Sequence, residues 1–144
     1  MSESMSESMS NSKSDDEFVR DFLSGALPPS QFHHRDHLRL TWTLTRRLGG
    51  DEAGRVIAEG IRRFATRHGQ EAKYHETMTR FWARLVNHLI QTHPDITDFS
   101  TFLAAFPLLL DKDLPFRHWS RETMFSAEAR VRWVEPDLLA LPAR

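Results

Sequence analysis

The chain has 144 residues, of which 40% are hydrophobic, 27% charged and 10% aromatic, the size and make-up of one domain that can bury its own core. Nineteen Lys and Arg stand against twenty Asp and Glu, so the chain has no basic excess, and neither nucleic acid nor an anionic membrane is expected as a partner. The absence of cysteine excludes disulfides, thiolate metal sites and cysteine nucleophiles, and no apolar run approaches the roughly 20 residues of a membrane-spanning helix.

Residues 1–14 read MSESMSESMSNSKS, a Ser-Glu-Ser-Met repeat with Ser at every even position. Nothing in it can bury apolar area to offset chain entropy, and a disordered tail is expected there, followed by a single helical domain over 15–144. The tail lacks the basic and apolar regions of a secretory signal, which makes the cytoplasm the expected location. Removing it leaves eighteen charges of each sign, a neutral body. Arg outnumbers Lys sixteen to three, a compositional habit of the chain.

Helical patterning runs through nearly all of the remainder. Asp15 or Asp16 can cap a first helix carrying Phe18, Val19, Phe22 and Leu23, ended by Gly25 and the Pro28-Pro29 breaker. Ser30 offers a cap for a second helix running to about Leu48 and stopping at Gly49-Gly50. Asp51 caps a third that reaches His68. A fourth starts near Lys73 or Tyr74 and runs to about Thr92, where His93-Pro94 stops it. Asp98 opens a fifth with Phe99, Phe102, Leu103 and Phe106 on one stripe, and Pro107 bends its end. Ser120 and Ser126 cap short terminal helices. No alternating segment competes for a strand, so an all-α bundle of about five main helices plus short C-terminal ones is expected.

Eight histidines are an excess worth sorting. Projected at 100° per residue, the second helix has an apolar face of Leu38, Leu40, Trp42, Leu44 and Leu48, with Arg35, Asp36, Arg39, Thr43, Arg46 and Arg47 opposite. His34 and His37 fall within the apolar face, one turn apart. On the fourth helix His75 projects among Tyr74, Met78, Phe81, Trp82, Leu85 and Val86, with Thr79 a turn further on and Glu76 at the border. His88 falls on the polar side and His93 at the exit. If the second, third and fourth helices run up, down, up, the N-terminal ends of the second and fourth share one end of the bundle, and the three inward imidazoles meet at one level.

Neutral imidazole is the commonest protein ligand for transition metals, and bundles build such sites from facing helices. His34, His37 and His75 are therefore the candidate ligands of a divalent metal, Zn or Fe. Glu76 is the candidate catalytic base or fourth ligand, and Tyr74 and Thr79 are candidate substrate-binding donors. Arg35 and Lys73, beside the helix starts, would suit an anionic group on a small-molecule substrate. Neither the di-iron pattern of bundles nor His-Glu-x-x-His occurs, so no named metal motif is matched. The polar connection from Asp111 to His118 reads as loop structure, and Trp42, Trp82, Trp119 and Trp133 as core packing.

Phe32-His33-His34-Arg35-Asp36-His37-Leu38 fits F-x-H-x-x-H-L, and Tyr74-His75-Glu76-Thr77-Met78-Thr79 fits Y-H-E-T-x-T. With Ser126-Ala127-Glu128-Ala129-Arg130 and Val134-Glu135-Pro136-Asp137, these segments resemble a family of short, uncharacterised bacterial proteins over about residues 30 to 138. The matching histidines are His34, His37 and His75, and His33 stands where that pattern is free. The resemblance implies no particular chemistry.

Three functions remain open at this point. The first is a metal site that catalyses hydrolysis, elimination or oxidation of a small molecule. The second is a metal-free pocket that uses its imidazoles for proton transfer or hydrogen bonding. The third is a non-catalytic interaction subunit whose core histidines satisfy backbone carbonyls.

Overall fold

A computed structural model describes residues 13–142, and the repeat expected to be disordered lies outside them as far as residue 12. Seven α-helices follow in order: α1 Asp15–Ser24, α2 His34–Leu48, α3 Gly50–Arg67, α4 Glu76–Thr92, α5 Phe99–Ala105, α6 Arg121–Met124 and α7 Ala127–Val131. Short 3-10 turns at Pro29–Gln31, Glu71–Lys73, Pro107–Leu110 and Leu114–Arg117 link them, and no strand occurs among the described residues. The expected all-α architecture is present. No helix among the described residues is long and apolar enough to cross a membrane.

Helix starts follow the side-chain capping chemistry, with four shifts from the expected boundaries; one is α3, which starts at Gly50 behind Gly49, so that Asp51 lies within its first turn rather than capping it. Asp98, Ser120 and Ser126 each accept a backbone N–H in the first turn of α5, α6 and α7, as expected of Asp and Ser caps. Helix α1 is capped one residue earlier than expected. Ser14 accepts from the Glu17 N–H while the Glu17 carboxylate accepts from the Ser14 N–H, closing a reciprocal pair. The second helix does not run on from Ser30. The Pro28-Pro29 segment makes a separate 3-10 turn, and α2 begins at His34, where the Asp36 carboxylate accepts from the His33 N–H at 2.9 Å. Helix α4 begins at Glu76 rather than Lys73, because Glu71–Lys73 forms its own turn and Tyr74 and His75 are extended.

Helices α2, α3 and α4 pack mutually, and α2 serves two cores at once. Leu38 and Trp42 join Phe81, Trp82, Val86, Phe99, Phe102, Leu109, Trp119 and Met124 in the larger cluster. Leu40 and Leu44 join Phe18, Val19, Phe22, Leu27, Ala53 and Ile57 in the smaller one. Both sides of α2 are therefore covered along most of its length, and Asp36, Arg39 and Thr43 of the expected polar face are internal while Arg46 and Arg47 remain exposed. Asp36, Arg39, Thr41, Thr43 and Thr45 are all buried. The cover over Arg39 is α1. Its guanidinium lies 4.8 Å from the Phe18 ring centroid, bonds Asp15 at 2.8 Å and donates to the Lys13 carbonyl at 2.7 Å. A charge taken this far from water needs such partners.

The C-terminal segment is tied across the larger core by polar contacts. Trp119 Nε1 donates to the Val134 carbonyl at 2.9 Å, and Thr77 Oγ1 donates to the Arg132 carbonyl at 2.8 Å. The Asp137 carboxylate accepts from the Ser120 N–H, the Ser120 hydroxyl and the Thr123 hydroxyl at 2.7–2.9 Å. Those three bonds hold its pKa below the ordinary carboxylate value.

Candidate functional site

His75 is the N-cap of α4 rather than a residue within it. Its Nδ1 accepts from the Met78 N–H at 3.1 Å, which places the ring proton on Nε2. That Nε2 lies 2.6 Å from the carbonyl oxygen of Met124, to which it donates. The imidazole thus does two structural tasks, ending a helix and holding the α6 region against it. His34, the first residue of α2, behaves similarly. Its Nε2 donates to the Leu109 carbonyl at 2.8 Å, and its ring meets Trp82 edge-on with centroids 4.7 Å apart. Burial depresses the His34 pKa, and the nearby Lys112 ammonium adds to that effect against the favourable Leu109 carbonyl.

His37 lies one turn along α2, its ring centroid 6.3 Å from that of His34. Its Nε2 is enclosed and has no hydrogen-bond partner among the described residues. Burial, reinforced by His34, pushes the pKa down to about 4, so the ring is neutral at physiological pH. A half-turn about Cβ–Cγ exchanges Nε2 with Cε1 while leaving the ring's outline nearly unchanged.

All three imidazoles line one cavity of about 290 Å³, together with Lys73, Tyr74, Thr79, Met78, Trp82, Ile61 and Lys112. The starts of α2 and α4 meet at the same end, as the up-down-up order requires. Six of the expected site residues are thereby brought together: His34, His37, Lys73, Tyr74, His75 and Thr79. Thr79 itself is buried, and its hydroxyl donates to the His75 carbonyl at 2.8 Å.

Two expected site residues fall elsewhere. Arg35 points away, with its guanidinium 5.2 Å from the Phe99 ring centroid, and lines a separate hollow with Asp15, Arg39 and Asp98. Because α2 starts at His34, Arg35 sits on the side facing α5. Glu76 turns into a neighbouring cavity of about 330 Å³ with Arg62, Glu71, Ala127, Arg130 and Val131, a space that Tyr74 also borders. There the Tyr74 hydroxyl donates to Glu76 at 2.6 Å, and Arg80 pairs with the same carboxylate. Burial would raise the Glu76 pKa, but these two partners outweigh it and hold the group below its ordinary value. A carboxylate so stabilised is a poor general base. Burial and the Glu76 charge conversely push the Tyr74 phenol up.

The three-histidine metal set does not fit this geometry. Both nitrogens of His75 are taken, the Nε2 of His34 is a donor, and no group of three or more His, Cys, Asp or Glu among the described residues is placed to hold a metal ion. The helical projection presumed that His75 lay within a helix; as an extended cap residue it spends its lone pair on the helix backbone.

Lys112 and Ile61 complete the cavity without having been singled out in the sequence. Lys112 lies in the polar connection read as a loop, and only the fold brings that loop over the ends of α2 and α4. Trp82 is core, as expected, but it is also cavity wall. A larger cavity of about 490 Å³ lies between Gly54, Arg55, Arg80, Arg84, Asn87 and Trp133. Its arginines are already engaged: Arg55 with Glu52 and Glu59, Arg80 with Glu76, and Arg84 over the Trp133 ring. Size alone does not make it the site. No protein-family model, curated protein or solved structure matches the chain, and the candidate site rests on its own geometry.

Proposed function

We propose that this protein binds a small organic molecule, without a metal, in the cavity formed by the starts of α2 and α4. The observation that supports this reading is the convergence on one cavity of His34, His37, Lys73, Tyr74, His75 and Thr79, drawn from two separate stretches of chain. The enclosed His37 Nε2, with no partner among the described residues, carries a penalty of about 1–3 kcal/mol, which a hydrogen-bonding guest would relieve once the ring turns a nitrogen toward the cavity. The walls contributed by Ile61, Met78 and Trp82 suit the apolar body of such a guest.

The depressed His37 pKa favours hydrogen bonding over proton abstraction. A base with a pKa of about 4 keeps its lone pair at pH 7 but has little driving force to take a proton. His34 and His75 hold the cavity's shape through Leu109 and Met124. A fragment screen followed by amide and indole NMR shifts tests the reading. Fragments should perturb Thr79 and the Trp82 indole in the wild type, and His37→Phe should abolish those perturbations. Binding that is indifferent to His37→Phe, or an absence of binders at this cavity, would contradict the proposal.

A further inference from the structure

The chain has three lysines against sixteen arginines. One of the three, Lys13, is paired with Asp21 at 2.8 Å. The other two, Lys73 and Lys112, come from segments 39 residues apart in number and both line the histidine cavity. No Asp or Glu among the described residues lines it. Of the acidic residues near these segments in sequence, Asp36 is buried with the His33 N–H on its carboxylate, Glu76 is held by Tyr74 and Arg80 beside the neighbouring cavity that Glu71 also lines, and Asp111 accepts from the N–H of Asp113, which is exposed. The N-terminal ends of α2 and α4, with 15 and 17 residues, lie at the same place and add their partial positive charge. A compact, mobile ammonium is the side chain suited to a point charge at a mouth, whereas this chain's arginines are used for ion pairs and ring stacking.

We infer that the occupant is a small organic carboxylate, its apolar body against Ile61, Met78 and Trp82 and its charge between Lys73 and Lys112 at the rim. The inference rests on the proposed small-molecule pocket and adds the charge of its guest. About 290 Å³ is at the lower end of ligand pockets, which limits the guest to a small acid. Because both lysines are exposed, the attraction is screened by salt.

Matched pairs of acid and alcohol separate the two claims: benzoate with benzyl alcohol, 4-hydroxybenzoate with 4-hydroxybenzyl alcohol, and hexanoate with hexanol. Each is titrated into the full-length protein while the His37 side-chain nitrogens and the Trp82 indole are followed by NMR. Within pairs the acids should bind at least about tenfold more tightly at low ionic strength, and the advantage should shrink in high salt. Lys73→Gln and Lys112→Gln should each weaken the acids and leave the alcohols unchanged, and together remove the preference. Alcohols that bind as tightly as their acids while moving the His37 signals would overturn the carboxylate assignment and leave the pocket standing. If no member of any pair moves His37 or Trp82, the pocket itself is refuted and the carboxylate with it.

Discussion

Two cavities share Tyr74 as a common wall, and they differ in how their polar groups are satisfied. On the Glu76 side the groups answer one another: phenol to carboxylate, carboxylate to Arg80, and Arg130 to the Ala72 carbonyl. On the histidine side two imidazoles are committed to carbonyls of the C-terminal half, and the third has an enclosed nitrogen without a partner among the described residues. Residues adjacent in sequence, His75 and Glu76, thus end in different chemical settings. A closed network of charges mainly holds the fold, whereas an unanswered buried nitrogen on a ring that lines a cavity is where a ligand has something to offer.

The sharpest way to break that contrast is to remove a committed imidazole. His75→Ala strips the cap from α4, worth about 1 kcal/mol, and strands the Met124 carbonyl, worth about 1–3 kcal/mol more. Urea denaturation should show a total loss of roughly 2–4 kcal/mol. His37→Phe removes no hydrogen bond through Nε2 and should change stability by less than about 1 kcal/mol. Equal losses for the two variants would erase the distinction between them.

Acidification gives the next largest effect. The folded His37 pKa of about 4 lies below its ordinary value of 6.5, so between those limits the unfolded chain binds a proton that the folded chain does not. Stability is therefore full above about pH 6.5 and falls as pH drops toward 4, by up to about 1.4 kcal/mol per pH unit for one such group. His34, depressed in the same direction, adds to the slope, and His34 and Lys112 are the charges that oppose protonation here. Melting curves of His37→Phe across this window should be visibly flatter than those of the wild type. An unchanged slope would place the titration elsewhere.

The smallest effect belongs to Tyr74→Phe, which deletes the hydrogen bond to Glu76. It should lower stability by about 0.5–1.5 kcal/mol and raise the Glu76 pKa, followed by carboxyl NMR titration. Carboxylate binding in the histidine cavity should survive, because no polar role there is assigned to the phenol. Loss of binding in this variant would merge the two cavities into one site.

The sequence made the meeting of His34, His37 and His75 legible because helix order alone puts the starts of α2 and α4 together. It did not show what the imidazoles do there. The helical projection continued α2 back through Ser30 and α4 back through Lys73, whereas 3-10 turns intervene at both places. That shift makes His75 a cap, and a cap's lone pair belongs to the helix. Arg39 was hidden for another reason: its side of α2 looks polar in one dimension, and only the docking of α1 through Phe18 and Asp15 encloses it. Lys112 had no local signal, since its partners in the cavity are thirty or more residues away along the chain.

The division of labour among the three histidines is the centre of this account, and long-range 1H–15N spectra of their side chains test it most directly. At pH 7 His34 and His75 should show Nε2-protonated rings that stay fixed when stoichiometric Zn2+ or a small carboxylate is added. His37 should be neutral, and its signals alone of the three should shift strongly with the carboxylate. Zn2+ moving all three sets of signals together would restore the shared metal site and contradict the assignment of His34 and His75 to the backbone carbonyls.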